Sequence, residues 1–253
     1  MRIFLKTEDE IILLRAASQL ATRALIEVGR HVVPRLALSH LRNKVVNAVM
    51  RTVPTESNSG KEALSSDTEF TFFVNGAYIE PSLEGECMLC EGDWLTVNCW
   101  VCLDGYYSFG AHTFIVGSSQ DDDSLTSTLR DMLRQVVRRA LAGHSIKEMS
   151  RTVYSLHSHD PYVLQKTFGH GVGRNRVENP ILRMNPWVND AVLLKEGMCL
   201  VIALAFKHGR SHFIKPRLMH ESTFHNPFVP FGTTVVVRPG RPEILTSFET
   251  IVK

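Results

Sequence analysis

Thr167-Phe-Gly-His-Gly-Val-Gly-Arg-Asn-Arg-Val-Glu-Asn-Pro180 is the stretch on which the reading of this chain turns. Gly169, Gly171 and Gly173 alternate with His170, Val172 and Arg174, directly after the β-rich run Tyr162-Val-Leu-Gln-Lys-Thr. A glycine on each side of a histidine lets backbone come close to whatever the imidazole faces, which marks the spot as a candidate site. A phosphate loop of the Gly-X-Gly-X-X-Gly form is excluded, because no glycine stands at the third offset and no helix opens here. Alone, His170 supports three roles: metal ligand, general base or member of a structural hydrogen-bond network.

Upstream, Thr7 followed by Glu10 forms a capping box for a helix over Thr7 to Gly29, with Ile11, Leu14, Ala17, Leu20, Leu25 and Val28 at helical spacing. A second helix is expected from Ser39 to about Arg51, then an exposed loop from Pro54 to Asp67. Phe70 to Val74, Trp94 to Leu103 and Tyr106 to Val116 read as strands, and Leu103-Asp104-Gly105-Tyr106 as a hairpin turn. Asp121-Asp-Asp-Ser opens a helix to Ala142, and Ser145 with Glu148 caps another to about His157. Strands return around 162 to 168, 198 to 206 and 233 to 238, with Leu194-Lys-Glu-Gly as a turn. Two helices plus strands in each half give an α+β fold with internal pseudo-symmetry, expected as one domain over 1–253.

At 253 residues and 44% apolar composition the chain can fill a substantial core. It has no run near the ~20 apolar residues of a membrane span, and its start turns charged at once, so a cytoplasmic protein is expected, with no membrane partner. A net charge of +2 implies no nucleic-acid partner; Arg130, Arg134, Arg138 and Arg139 read as a solvated helix face. Five cysteines do not make a secreted disulfide framework. Cys87-Met-Leu-Cys90 and Cys99-Trp-Val-Cys102 look like a zinc ribbon on paper, but positions three apart on a strand face opposite sides, so buried or partly buried thiols are expected.

Several segments together resemble type I methionine aminopeptidases: Leu5-Lys-Thr-Glu-Asp-Glu-Ile, Gly92-Asp-Trp-Leu-Thr-Val-Asn-Cys, Leu103-Asp-Gly-Tyr, Gly169-His-Gly-Val-Gly-Arg, Leu194-Lys-Glu-Gly-Met-Cys and Pro242-Glu-Ile-Leu-Thr-Ser-Phe. The resemblance implies the pita-bread α+β fold of peptidase family M24 and removal of an N-terminal methionine with paired divalent metals. It also implies five metal ligands: two aspartates, one histidine and two glutamates. Their positions fall on Asn98, Phe109, His170, Ala203 and Gly232, so four liganding side chains are missing. The family's two substrate-assisting histidines fall on Val177 and near Glu80 or Pro81, while the neighbouring Glu178 matches.

Two divalent ions bring about four positive charges, which Asn, Phe, Ala, Gly and one neutral His cannot offset. Metal-activated water, the nucleophile of the family reaction, is then unavailable. The residues accordingly imply a degenerate member with no cofactor, a pseudoenzyme that binds an unidentified peptide or protein. Pita-bread proteins without metals act in chromatin and growth-control complexes, so the resemblance permits such a role. A second reading is a metal-independent, creatinase-like hydrolase in which His170 works with Glu178, Asn98 or Tyr107. A third is residual aminopeptidase activity. Strand parity puts Asn98, Trp100 and Cys102 on one face, which implies a lined and partly filled pocket. The histidines at 208, 212, 220 and 225 and the His157-Ser-His159-Asp160 cluster are weaker candidates.

Overall fold

The computed structural model describes residues 2–53, 64, 66–117, 124–157, 163–164, 167–187, 192–207, 228–247, 249 and 251. Helix α1 (Glu8–His31) starts where the capping box places it. The Thr7 hydroxyl accepts from the Glu10 amide at 3.3 Å, and the Glu10 carboxylate accepts from the Thr7 amide at 3.0 Å. The helix runs past Gly29, which is buried inside it rather than ending it. Helix α2 (Leu38–Thr52) buries Leu38, Leu41, Val45 and Val49, a stripe with helical period.

The strands β1 (Glu69–Val74), β2 (Ala77–Ile79), β3 (Trp94–Leu103), β4 (Tyr106–Ile115), β5 (Val163–Leu164), β6 (Thr167–Gly171), β7 (Glu178–Arg183), β8 (Cys199–Lys207), β9 (Phe228–Val236) and β10 (Glu243–Ile244) form one 10-stranded sheet. Its main path is β2-β1-β3-β4-β9-β8-β6-β7, with β10 on β9 and β5 on β8. The first four strands and their counterparts from β6 to β9 thus occur in mirrored order about the sheet's centre. The two halves meet where Ala111 of β4 pairs with Gly232 of β9. Helices α1 and α2 pack on the first half around Leu25, Leu41, Phe72 and Val97, and α3 (Ser124–Val137) and α4 (Ile146–His157) on the second around Leu133, Met149, Leu200 and Phe231.

The β3–β4 hairpin follows from its turn: Asp104 and Gly105 have φ of 49° and 77°, the paired positive values that suit strand twist. Elsewhere the chain departs from its local signals. Helix α3 stops at Val137 rather than Ala142, because the amides of Arg139 and Ala140 bond three residues back and Leu141 bridges to Arg238. Of the run at 162–168, Val163 and Leu164 lie in β5 and Thr167 and Phe168 in β6. The segment from Glu178 to Arg183, carrying two charges and a proline, is a strand because β6 supplies its partner. Of the glycines in the opening stretch, Gly169 and Gly171 make room for neighbouring backbone and Gly173 for the Lys6 side chain. A Cβ at Gly169 would lie 2.1 Å from the Val201 carbonyl oxygen, and one at Gly171 2.4 Å from that of Asn179.

Most of the expected loop from Pro54 to Asp67, the acids Asp121 to Asp123, the side chain of His157 with His159 and Asp160, and the histidines at 208, 212, 220 and 225 lie outside the described residues. Among those described, no helix is long and apolar enough to cross a membrane.

Candidate functional site

The positions that the resemblance assigns to metal ligands come together on one face at the centre of the sheet. Asn98 and Trp100 share that face of β3, and the hairpin register sets Phe109 of β4 opposite Trp100. Across the seam, Gly232 of β9 pairs with Ala203 of β8, and Val201, two residues before Ala203, pairs with His170 of β6.

Side chains fill the space among these strands. A Cβ built on Gly232 would meet Phe109 Cε1 at 2.6 Å and Ala203 Cβ at 3.1 Å, so the phenyl ring rests in a notch that exists because both residues are small. Phe109 is only 7% exposed and belongs to an apolar cluster with Ile11, Leu14, Val172 and Val201. Trp100 covers it, ring centroids 4.8 Å apart at 45°, and also lies parallel to the His170 imidazole, 6.1 Å away at 8°. The expectation of a lined, partly filled pocket thus meets a ring-filled notch under an indole roof.

His170 Nδ1 lies 2.8 Å from the Gly171 carbonyl oxygen and donates to it, which leaves Nε2 as the acceptor. Burial holds the imidazole below its ordinary pKa, opposed by that carbonyl, so the ring is neutral near pH 7. Asn98 Oδ1 is buried without a hydrogen-bond partner among the described residues. One carboxamide acceptor, one imidazole, a methyl group and a phenyl ring do not fit the family's paired cations, which need several anionic oxygens. Among the described residues no group of three or more His, Cys, Asp or Glu side chains could hold an ion.

Of the flanking candidates, Glu178 and Tyr107 are engaged with other side chains, and Glu80 and Val177 are exposed. Glu178, read as substrate-side, is buried and accepts from Lys6 Nζ at 2.6 Å, with side chains 5% and 4% exposed. Glu80 is exposed just before a short 3-10 turn, Pro81–Leu83, and Val177 is 57% exposed. Tyr107 donates its hydroxyl to Asp67 Oδ2 at 2.6 Å, and that bond pushes its pKa up to about 12. Over the outer side of Trp100 lies Arg176, a residue that sequence reasoning passed over. Its guanidinium is 5.7 Å from the Trp100 ring and 5.8 Å from the Tyr107 ring, bonds Glu69 at 2.8 Å, and donates to the Asp67 carbonyl. Arg176 in turn holds the Glu69 carboxyl below its usual range. No local signal pointed to this group, because its members come from three segments far apart in the chain.

Of the cysteines, Cys87, Cys99 and Cys102 are buried, but Cys90 is exposed, against the expectation for that thiol, because it sits in the open turn before β3.

An antiparallel sheet of two mirrored halves, with five candidate ligand positions at its centre, defines a class. The chain belongs to metallopeptidase family M24, whose profile matches residues 12–239, and it has the pita-bread fold. It is similar to the methionine aminopeptidase of Borreliella burgdorferi, 26% identical over 255 residues covering 97% of this chain and 98% of the relative. The crystal structure of methionine aminopeptidase from Thermotoga maritima superposes with a TM-score of 0.79 at 21% identity, covering 97% of this chain and all of that one. The N-terminal domain of the FACT complex subunit SPT16 from chickpea shares the fold at a TM-score of 0.71 and 16% identity, over 98% of this chain and 59% of that one.

Proposed function

We propose that this M24 member no longer hydrolyses peptides and serves as a peptide- or protein-binding module. The observation that carries the reading is the Phe109 ring seated against Gly232 and Ala203, in the space that carboxylates and cations fill in the resemblance. Burying a phenyl ring there contributes about 1.5–3 kcal/mol of stability, whereas a cation in the same apolar notch would lose its hydration without gaining anionic partners. Use of the fold as a piece of an assembly has a parallel in the SPT16 domain, a part of the FACT complex.

The creatinase-like alternative has less support. Trp100 lies flat beside the imidazole that would act as base, and two of its three candidate helpers, Glu178 and Tyr107, are bonded to Lys6 and Asp67, which leaves Asn98. The test is elemental analysis of the purified protein, before and after loading with cobalt or manganese, together with hydrolysis of a Met-Gly-Met peptide. Metal well below one ion per chain and no methionine release above buffer are expected. Stoichiometric metal with turnover that His170→Ala abolishes would overturn the proposal.

A further inference from the structure

Arg176 is held in a cage with four walls. Two are aromatic faces, Trp100 and Tyr107, at 5.7 and 5.8 Å from its guanidinium carbon. The third is the Glu69 carboxylate at 2.8 Å from one terminal nitrogen, and the fourth is the Asp67 carbonyl oxygen, which accepts from the other. Tyr107 is fixed in position by its own hydroxyl bond to Asp67. Two acceptors serving two different nitrogens, between two π faces, match the planar fork of a guanidinium rather than the point charge of an ammonium.

The occupant is weakly held. The Arg176 side chain is 35% exposed and its partner Glu69 51%, so the ion pair is partly solvated and contributes little, and the cation–π contacts lie near the outer limit of useful distance. Arg176 also sits in the open turn between β6 and β7, between exposed Asn175 and Val177, where a few backbone rotations suffice to swing it out. We infer that the cage of Trp100, Tyr107, Glu69 and the Asp67 carbonyl is a recognition site for an arginine side chain of a partner, with Arg176 as its resident, displaceable occupant. The inference rests on the binding-module reading and names the chemistry of the partner: a peptide or protein segment presenting an exposed arginine. An occupant that fills the cage for most of the time reduces the apparent affinity for an incoming ligand by the fraction of time the cage is open.

The experiment is calorimetric titration of the full chain with three capped tripeptides, Gly-Arg-Gly, Gly-Lys-Gly and Gly-citrulline-Gly. The proteins are the parent, Arg176→Ala, and Arg176→Ala combined with Glu69→Gln or Trp100→Leu. The arginine peptide is expected to bind Arg176→Ala about tenfold tighter than the parent, as removal of a weakly held competitor predicts. The citrulline peptide, which keeps the shape and loses the charge, should not bind, and the lysine peptide should bind markedly less well. Glu69→Gln should remove most of the gain; because Glu69 is exposed, this variant keeps the test decisive where Trp100→Leu fails to fold. Equal affinities for parent and Arg176→Ala, equal affinities for arginine and citrulline or for arginine and lysine, or indifference to Glu69→Gln would each overturn the inference. Metal content and Met-Gly-Met hydrolysis on the same preparations separate the two readings. Turnover there defeats the non-catalytic proposal whatever the cage does, and a metal-free protein that ignores the arginine peptide defeats the cage alone.

Discussion

Gly232→Ala tests the ring-filled notch with a single methyl group. Gly232 lies in the extended backbone of β9, where alanine is ordinarily tolerated and stabilises by about 0.4–1 kcal/mol through the unfolded chain. Here the added Cβ would stand 2.6 Å from Phe109 Cε1, 3.4 Å from Phe109 Cδ1 and 3.1 Å from Ala203 Cβ. Comfortable carbon contacts lie at roughly 3.5–4.0 Å, so the overlap with the ring is near ~1 Å. The ring cannot retreat freely, because Trp100 packs 4.8 Å from its centroid and only 7% of Phe109 reaches solvent. Overpacking of this kind costs about 1–3 kcal/mol, which outweighs the backbone gain and reverses the usual sign of the substitution.

Phe109→Ala alone leaves a hole and costs about 3–5 kcal/mol. In the double variant the new methyl enters the vacated space, so the loss falls short of the sum of the two single losses by about 1–3 kcal/mol. Urea midpoints with a shared slope, or melting temperatures, in which 1 kcal/mol corresponds to about 2–4 °C at this chain length, give the cycle. Losses that add within about 0.5 kcal/mol, or a Gly232→Ala variant more stable than the parent, would refute a ring in the notch.

Three further outcomes follow from the same geometry. Lys6→Met strands the buried Glu178 carboxylate and should cost about 3–5 kcal/mol in urea unfolding, with part of the loss recovered by adding Glu178→Leu. The Thr7 amide, and to a lesser degree the Tyr106 hydroxyl, lower the pKa of Glu10 from 4.5, so its contribution is present above that value and lost as pH falls through the depressed folded one. Melting curves of parent and Glu10→Gln should therefore differ at pH 7 and converge in acid. A thiol reagent on the native protein should modify Cys90 rapidly and spare Cys87, Cys99 and Cys199. Burial pushes Cys87 up to about 11, Cys199 up to about 12 and Cys99 higher still, so the full count of five reacted thiols is reached only after denaturation.

Features written in neighbouring residues were legible before the structure. Thr7 with Glu10 and Asp104 with Gly105 each fix a local geometry through atoms three residues apart or fewer, so a cap and a hairpin could be placed from the letters alone. The five candidate positions rested instead on the resemblance, and what the structure adds is their place on one face of the sheet. Strand β7 was not legible, because Glu178, Asn179 and Pro180 carry no β signal and become a strand only through pairing with β6. Parity put Asn98 and Trp100 on one face but could not say what the indole covered. That depended on Gly232 and Ala203, which the register of β8 and β9 brings opposite each other, and on a β6 histidine set parallel to the ring. The Arg176 cage was the least legible. Its walls come from the entry to β1, from β3 and from β4, and nothing in a linear reading places them around a turn some seventy residues further on.

The residues at the five candidate positions make physical sense only as a set. A glutamate at Gly232 or Ala203 would press a carboxylate against the Phe109 ring, and a lone carboxylate in that apolar cluster has neither cation nor donor to offset its lost hydration. Phe109→Asp in the present background would meet the same problem from the other side, an anion facing a methyl group and a bare backbone. Each single carboxylate is therefore costly before any ion can bind, and the cost falls only when several are introduced together with a cation to neutralise them. Asn98 fits the same logic: a carboxamide has the shape of an aspartate without its charge, so it is tolerable beside Phe109 and Trp100, although its Oδ1 has no hydrogen-bond partner among the described residues. A centre packed in this way is stabilised by apolar contacts, and its imidazole is neutral and bonded to the Gly171 carbonyl.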